Sequence, residues 1–178
     1  MEHVLPPADA GLVATQMQGI VWGLLSLPIC LWVFYTDLSR MVIRNYAVLA
    51  MLAIFAITGP FLLPLAEYGL RYVHFAVVLV VGFVLNKVIG FGAGDAKFAA
   101  AIAPFVARGD LPDLGILYIV WGIALVVGMF VARRIKPLRA AAPDWKSWDN
   151  VLLPFGCTLA ATHLSYLALA ALSPSPAG

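Results

Sequence analysis

Two carboxylates are placed to do chemistry in this chain. Asp37 stands in Thr36-Asp37-Leu38-Ser39-Arg40, and Asp95 in Gly92-Ala93-Gly94-Asp95-Ala96-Lys97. Each sits at the end of an apolar segment. A charge at the centre of a membrane helix costs about 2.5–3.5 kcal/mol on insertion scales, so such a residue is a functional-site hypothesis. Two carboxyls that share a site cannot both ionise easily. One keeps a proton while the other acts as a base on a water between them. That water can attack a peptide carbonyl while the protonated partner stabilises the developing oxyanion. The chemistry calls for no metal, no cofactor and no covalent nucleophile. Helix dipoles suggest a division of labour. Asp95 precedes an apolar helix, whose positive end favours a carboxylate, and Asp37 follows one, whose negative end does not. The expectation is Asp95 as ionised base and Asp37 as acid.

The neighbours of the two acids are read with them. Gly90, Gly92 and Gly94 remove side chains beside Asp95 and permit backbone angles that other residues resist, so an extended peptide could approach. Gly-Phe-Gly-Ala-Gly is not read as a phosphate cradle, because no strand precedes it and Asp95 would repel phosphate. Lys97 is expected either to act on Asp95 or to snorkel as a topology-setting cation. Arg40 and Arg44 are read mainly as topology signals. Asn45 is expected to support the site and to cap the second helix. Cys30 and Cys157 lie in apolar segments outside any Cys-x-x-Cys pair and read as small buried hydrophobes. His74 and His163 have no partner at ligand spacing and read as packing residues.

The elements that must position these residues are set by composition. The chain has 178 residues, 63% of them hydrophobic and 11% charged, with a mean hydropathy of +0.96. Soluble domains are about 45–50% apolar and about 25% charged, so this chain belongs in a bilayer. Its net charge of +2 and its lack of a basic face with interleaved aromatics argue against nucleic acid. The start, residues 1–18, carries Glu2 and Asp9 and no Lys or Arg. It therefore reads as neither a cleaved signal peptide nor a lipidation signal, and the first apolar segment is expected to be retained.

Hydropathy gives apolar segments over 19–35, 46–65, 70–89, 96–107, 114–132 and 151–172. The fourth is too short to span unaided and is expected to be tilted or shielded by its neighbours. The tail 173–178 is expected to fray. Placing the N-terminus outside puts nine of the eleven Lys and Arg residues in segments 36–45, 86–97 and 133–150 on the inside, leaving Arg71 and Arg108 outside. The positive-inside rule then predicts both termini outside and puts Asp37 and Asp95 on the cytoplasmic side. The expected fold is an all-α polytopic membrane protein of about six transmembrane helices. It is read as a single domain over 1–178 with a helical core over 18–172. The polar stretch 133–150 is expected to be a cytoplasmic loop with Trp145 and Trp148 as headgroup anchors. The sharper alternative makes it a lid or a contact for a substrate's charged leader.

At these residues the chain resembles the prepilin peptidases, membrane aspartic proteases with a Gly-x-Gly-Asp motif. The first signature, an Asp after a helix and then a polar run to Ile-Pro-Asn, reads here Asp37-Leu38-Ser39-Arg40-Met41-Val42-Ile43-Arg44-Asn45. The second, Gly-x-Gly-Asp-x-Lys, is Gly92 to Lys97. A Pro-Phe-Gly segment opening the last helix is matched by Leu153-Pro154-Phe155-Gly156. The resemblance implies Asp37 and Asp95 as the catalytic pair, with Gly92, Gly94 and Lys97 as motif residues. It also implies a bacterial inner-membrane enzyme that cuts a prepilin's basic leader from its apolar helix, at the cytoplasmic side. Arg44 stands where the family has Pro, which would loosen the turn after Asp37. The cysteine-rich domain that accompanies N-methylation in larger members is absent, so no methyltransferase activity is expected. The chain is similar in this to the short peptidases of tight-adherence (Flp-type) pilus systems. Partners implied are the prepilin and the lipid bilayer, with self-association left open. A small transporter and a non-catalytic assembly subunit are the rival readings.

Overall fold

The computed structural model describes residues 12–150 and 152–173. The acidic start of the chain up to residue 11, Val151 and the expected fraying over 174–178 lie outside the described residues. Among the described residues seven α-helices follow in order: α1 Gln16–Arg40, α2 Asn45–Leu62, α3 Leu65–Ile89, α4 Ala93–Ile102, α5 Leu111–Ala132, α6 Lys136–Ala141 and α7 Phe155–Leu172. Among the described residues there is no strand. The protein is all-α and polytopic. Helices α1, α2, α3, α5 with the turn before it, and α7 are long and apolar enough to cross a membrane.

The bundle runs antiparallel, and contacts at its two ends show which helix termini meet. At one end, the carboxylate of Asp110 accepts from the amides of Val13 and Ala14, which precede α1, and from the hydroxyl of Tyr166 late in α7. Gln18 near the start of α1 donates to the carbonyl of Leu62 at the end of α2. Arg71 early in α3 donates to the carbonyl of Pro104 just after α4. At the other end meet the close of α1, the start of α2, the start of α4 and the start of α7. Helix α4 and the 3-10 turn Ala103–Phe105 therefore cross the bundle core. Its ten residues give only about 15 Å of rise, and Ala96, Phe98, Ala100, Ala101 and Ile102 are buried. This is the short segment expected to be tilted or shielded by its neighbours, and it packs inside the five span-length helices.

Backbone proximity locks the elements that carry the two acids. A Cβ on Gly82 of α3 would come within 2.7 Å of the Ala96 side chain, so α3 and α4 form a tight hairpin that fixes the first turn of α4. A Cβ on Gly19 of α1 would lie 2.6 Å from the carbonyl of Leu167 in α7. Helix α7 is the most buried of the span-length helices and packs chiefly on α1. Gly90 turns the chain between α3 and α4 with φ +74, a left-handed conformation that glycine adopts without penalty.

Several boundaries move from those hydropathy suggests. Helix α1 runs on to Arg40 and is closed by Met41 in the left-handed region. Helix α3 starts at Leu65, directly after Pro64. The polar stretch 133–150 is folded on itself. Arg133 donates to the carbonyls of Ser147 and Asn150 at 2.8 and 2.7 Å, and Arg139 pairs with Asp149. Trp148 is not a free headgroup anchor. It is buried, stacks on Trp145 and donates its indole N–H to the carbonyl of Ala142. Trp145 in turn meets Tyr35 edge-on, which docks the loop on the last turns of α1.

Candidate active site

Asp37 lies one turn from the end of α1, where the helix carries it inward, and it is 5% exposed. Its Oδ2 accepts from the backbone N–H of Cys157 at 3.3 Å. Cys157 is in the first turn of α7, so the free N–H groups at a helix start face the carboxylate. Gly156 makes the approach feasible. A Cβ there would lie 2.8 Å from Asp37 Oδ2 and 2.7 Å from Cδ1 of Ile43. The Cys157 thiol is buried and directed at the Phe34 carbonyl at 3.9 Å. Cys30 is a buried free thiol in the same helix as Asp37.

Asp95 is in the first turn of α4 and is half-buried. Its carboxylate folds back over Gly92, and a Cβ on Gly92 would overlap Asp95 Oδ2. The first glycine of Gly-x-Gly-Asp is thus required by close approach, since its φ of −57 is open to any residue. The second, Gly94, faces Ile43, whose Cβ would lie at an ordinary 3.4 Å from an added Cβ. Ile43 therefore sits between Gly94 on the Asp95 side and Gly156 on the Asp37 side, and it is buried. Ile43 thus joins the surroundings of the two carboxyls, and two acids drawn from water at one end of the bundle are the condition for a shared proton.

The helix-dipole argument for a division of labour loses its premise. Its premise was that Asp37 faces the negative end of α1. The helix runs three residues past Asp37, and the side chain turns to the positive end of α7 instead. The N–H of Cys157 favours the ionised form of Asp37, and among the described residues no hydrogen bond reaches the Asp95 carboxyl. Asn45 does not cap α2. The N-cap is Arg44, with no side-chain cap bond, because Asn45 already has helical geometry. Its Oδ1 accepts from Lys97 Nζ at 3.5 Å, which ties α4 to α2. Lys97 makes no ion pair with Asp95 among the described residues. Arg44 holds φ −74 and ψ 139, angles that proline also adopts. His163 packs edge-on against Phe105 at 5.1 Å, as expected of a packing residue. Among the described residues, no three His, Cys, Asp or Glu side chains converge as a metal site.

Ile43, Gly156 and Cys157 belong to the site but carry no role in the sequence reading. Two signals pointed to them, since Ile43 lies in the run from Asp37 to Asn45 and Gly156 closes the Pro-Phe-Gly segment.

Residues 24–132 match the profile of the type IV leader peptidase family, more than half of the chain, and the matched stretch contains both Asp37 and Asp95. Comparisons with curated proteins and with solved structures give no match.

Proposed function

Because the chain belongs to the type IV leader peptidase family, we propose that it is a membrane aspartic endopeptidase that removes the leader of a prepilin. In this reading Asp37 and Asp95 are the catalytic pair. Asp37, with its N–H donor, is the ionised base, and Asp95 holds the proton. Asp37 takes a proton from a water between the carboxyls, and the resulting hydroxide attacks the scissile carbonyl. Asp95 donates to the oxygen that becomes negative. Collapse of the tetrahedral intermediate breaks the C–N bond, and a proton passes to the leaving amine.

The observation that carries the reading is the meeting of two carboxyls from distant parts of the sequence at one corner of the bundle. One is stationed on a helix start, and the other folds back over Gly92 with no hydrogen-bond donor among the described residues. The charge asymmetry of the loops supports a cytoplasmic active site in the bacterial inner membrane, with both termini outside. Within that family a tight-adherence (Flp-type) prepilin is taken as the substrate. Gly92 and Gly94 admit the substrate backbone, and Lys97 and Asn45 hold α4 against α2.

The test is co-expression with a Flp-type prepilin, following leader loss by mass. Asp37→Asn and Asp95→Asn, matched for membrane abundance, run alongside. Cleavage by the native chain that each variant abolishes is expected, and cleavage retained in either variant rejects the dyad.

A further inference from the structure

Met41, Val42, Ile43 and Arg44 join α1 to α2, and of these Ile43 alone is buried. Val42 beside it is 48% exposed, against 8% for Ile43. Short connections run over the surface as a rule, so an apolar side chain turned inward from one has a packing task. The Ile43 Cβ lies 3.4 Å from where a Cβ on Gly94 would stand, and its Cδ1 lies 2.7 Å from where a Cβ on Gly156 would stand. Asp37 Oδ2 is 2.8 Å from that same point beside Gly156. Gly94 directly precedes Asp95 in the first turn of α4. Gly156 directly precedes Cys157, whose N–H holds Asp37. One side chain is thus packed between the two helix starts that station the acids.

Hydrogen bonds leave the separation of the acids free. Among the described residues one N–H reaches Asp37 and none reaches Asp95, so packing has to set it. Two carboxyls that share a proton attract each other. Unopposed, they close to a direct O–H···O bond of about 2.5–2.7 Å, and no water fits between them. We infer that Ile43 is a positioning residue, a spacer that keeps the starts of α4 and α7 apart and so holds the acids at a water-bridged separation. This rests on the peptidase reading above, which needs that water in place. The residue type suits the task. A β-branched side chain is stiff at χ1, and a close-packed interior registers the loss of a single methyl. The spacer acts through its two contacts: the Cβ side bears on the approach to Asp95, and Cδ1 bears on the volume shared with Asp37.

The test follows prepilin cleavage by the full chain in membranes while single methyls are removed. Ile43→Val deletes Cδ1, the atom that faces Gly156. Ile102→Val deletes the same methyl from a side chain of equal exposure, 8%, at the far end of α4. Both variants are expected to melt slightly below the native chain. Ile43→Val is expected to lower kcat about tenfold with KM within about twofold, and Ile102→Val to leave both near native. Gly156→Ala crowds Cδ1 and Asp37 together. Combining it with Ile43→Val returns a methyl to the same volume from the opposite side, and the pair is expected to recover at least about tenfold of the turnover that Gly156→Ala loses. Native kcat in Ile43→Val, a rise in its KM alone, an equal loss of kcat in Ile102→Val, or no recovery in the pair overturns the spacer. Cleavage by the native chain is scored first. Cleavage together with any of those results removes the spacer alone, and absence of cleavage removes the peptidase reading and the spacer with it.

Discussion

Asp110 at one end of the bundle accepts from two backbone amides and the Tyr166 hydroxyl, at 2.7, 3.0 and 2.8 Å. At the other end Asp37 accepts one backbone N–H at 3.3 Å, and Asp95 accepts none among the described residues. All three acids are removed from water to some degree. A carboxylate has about four lone-pair sites. Asp110 uses most of them to hold the approach to α1 against the close of α7, which is the behaviour of a structural latch. Asp37 and Asp95 keep theirs open, as a site that must bind a water and a peptide requires. The contrast separates a buried acid that serves the fold from two that burden it.

The largest effects test that separation directly. Asp37→Asn or Asp95→Asn is expected to lower turnover by about 10²–10⁴-fold. Asp95→Asn should leave thermal stability equal or raised, because it removes a poorly solvated acid without a donor. Asp110→Asn should do the reverse. An amide nitrogen facing amide donors loses about 1–3 kcal/mol, read as a lower melting temperature in detergent, with leader cleavage per folded molecule near native. A stable but inactive Asp110→Asn would break the comparison.

Next come the glycines beside the acids. Ala at Gly92 displaces the Asp95 carboxylate, and Ala at Gly156 forces either Asp37 or Ile43 to move. Misplacement of about 1 Å can cost about 10²-fold in rate, and that is the expected loss of turnover for both variants. At the opposite end Gly69→Ala, which meets nothing within 4 Å, should stabilise α3 by about 0.5–1 kcal/mol and leave cleavage unchanged. Equal effects at the two ends would mean that these glycines act through helix propensity and not through the carboxylates.

Much of this contrast was legible in the sequence, but unevenly. The apolar segments are local, additive signals, and they carry over into the helices found. The short Ala96–Ala107 stretch read as a shielded helix because its length conflicts with its hydropathy. The Asp110 latch left no such trace, because its partners Val13, Ala14 and Tyr166 are distant in sequence and two of them contribute only backbone. The environment of Asp37 was misread for a related reason. Its sequence neighbours place it at the end of α1, whereas the field it meets comes from Cys157 on α7, admitted by the close approach at Gly156.

The smallest effect concerns the turn that joins the two kinds of region, from Asp37 to the start of α2. Arg44 is exposed, its φ of −74 and ψ of 139 suit proline, and its side chain makes no cap bond. Arg44→Pro should therefore stabilise by about 0.4–1 kcal/mol, by narrowing the unfolded ensemble, with cleavage close to native. A residue before proline must be extended, and that residue is Ile43, the side chain packed between Gly94 and Gly156. A lower melting temperature together with lost cleavage would show that Ile43 is held in another conformation. The wedge between the two acids would then depend on Arg44, and the turn would belong to the site instead of merely leading to it.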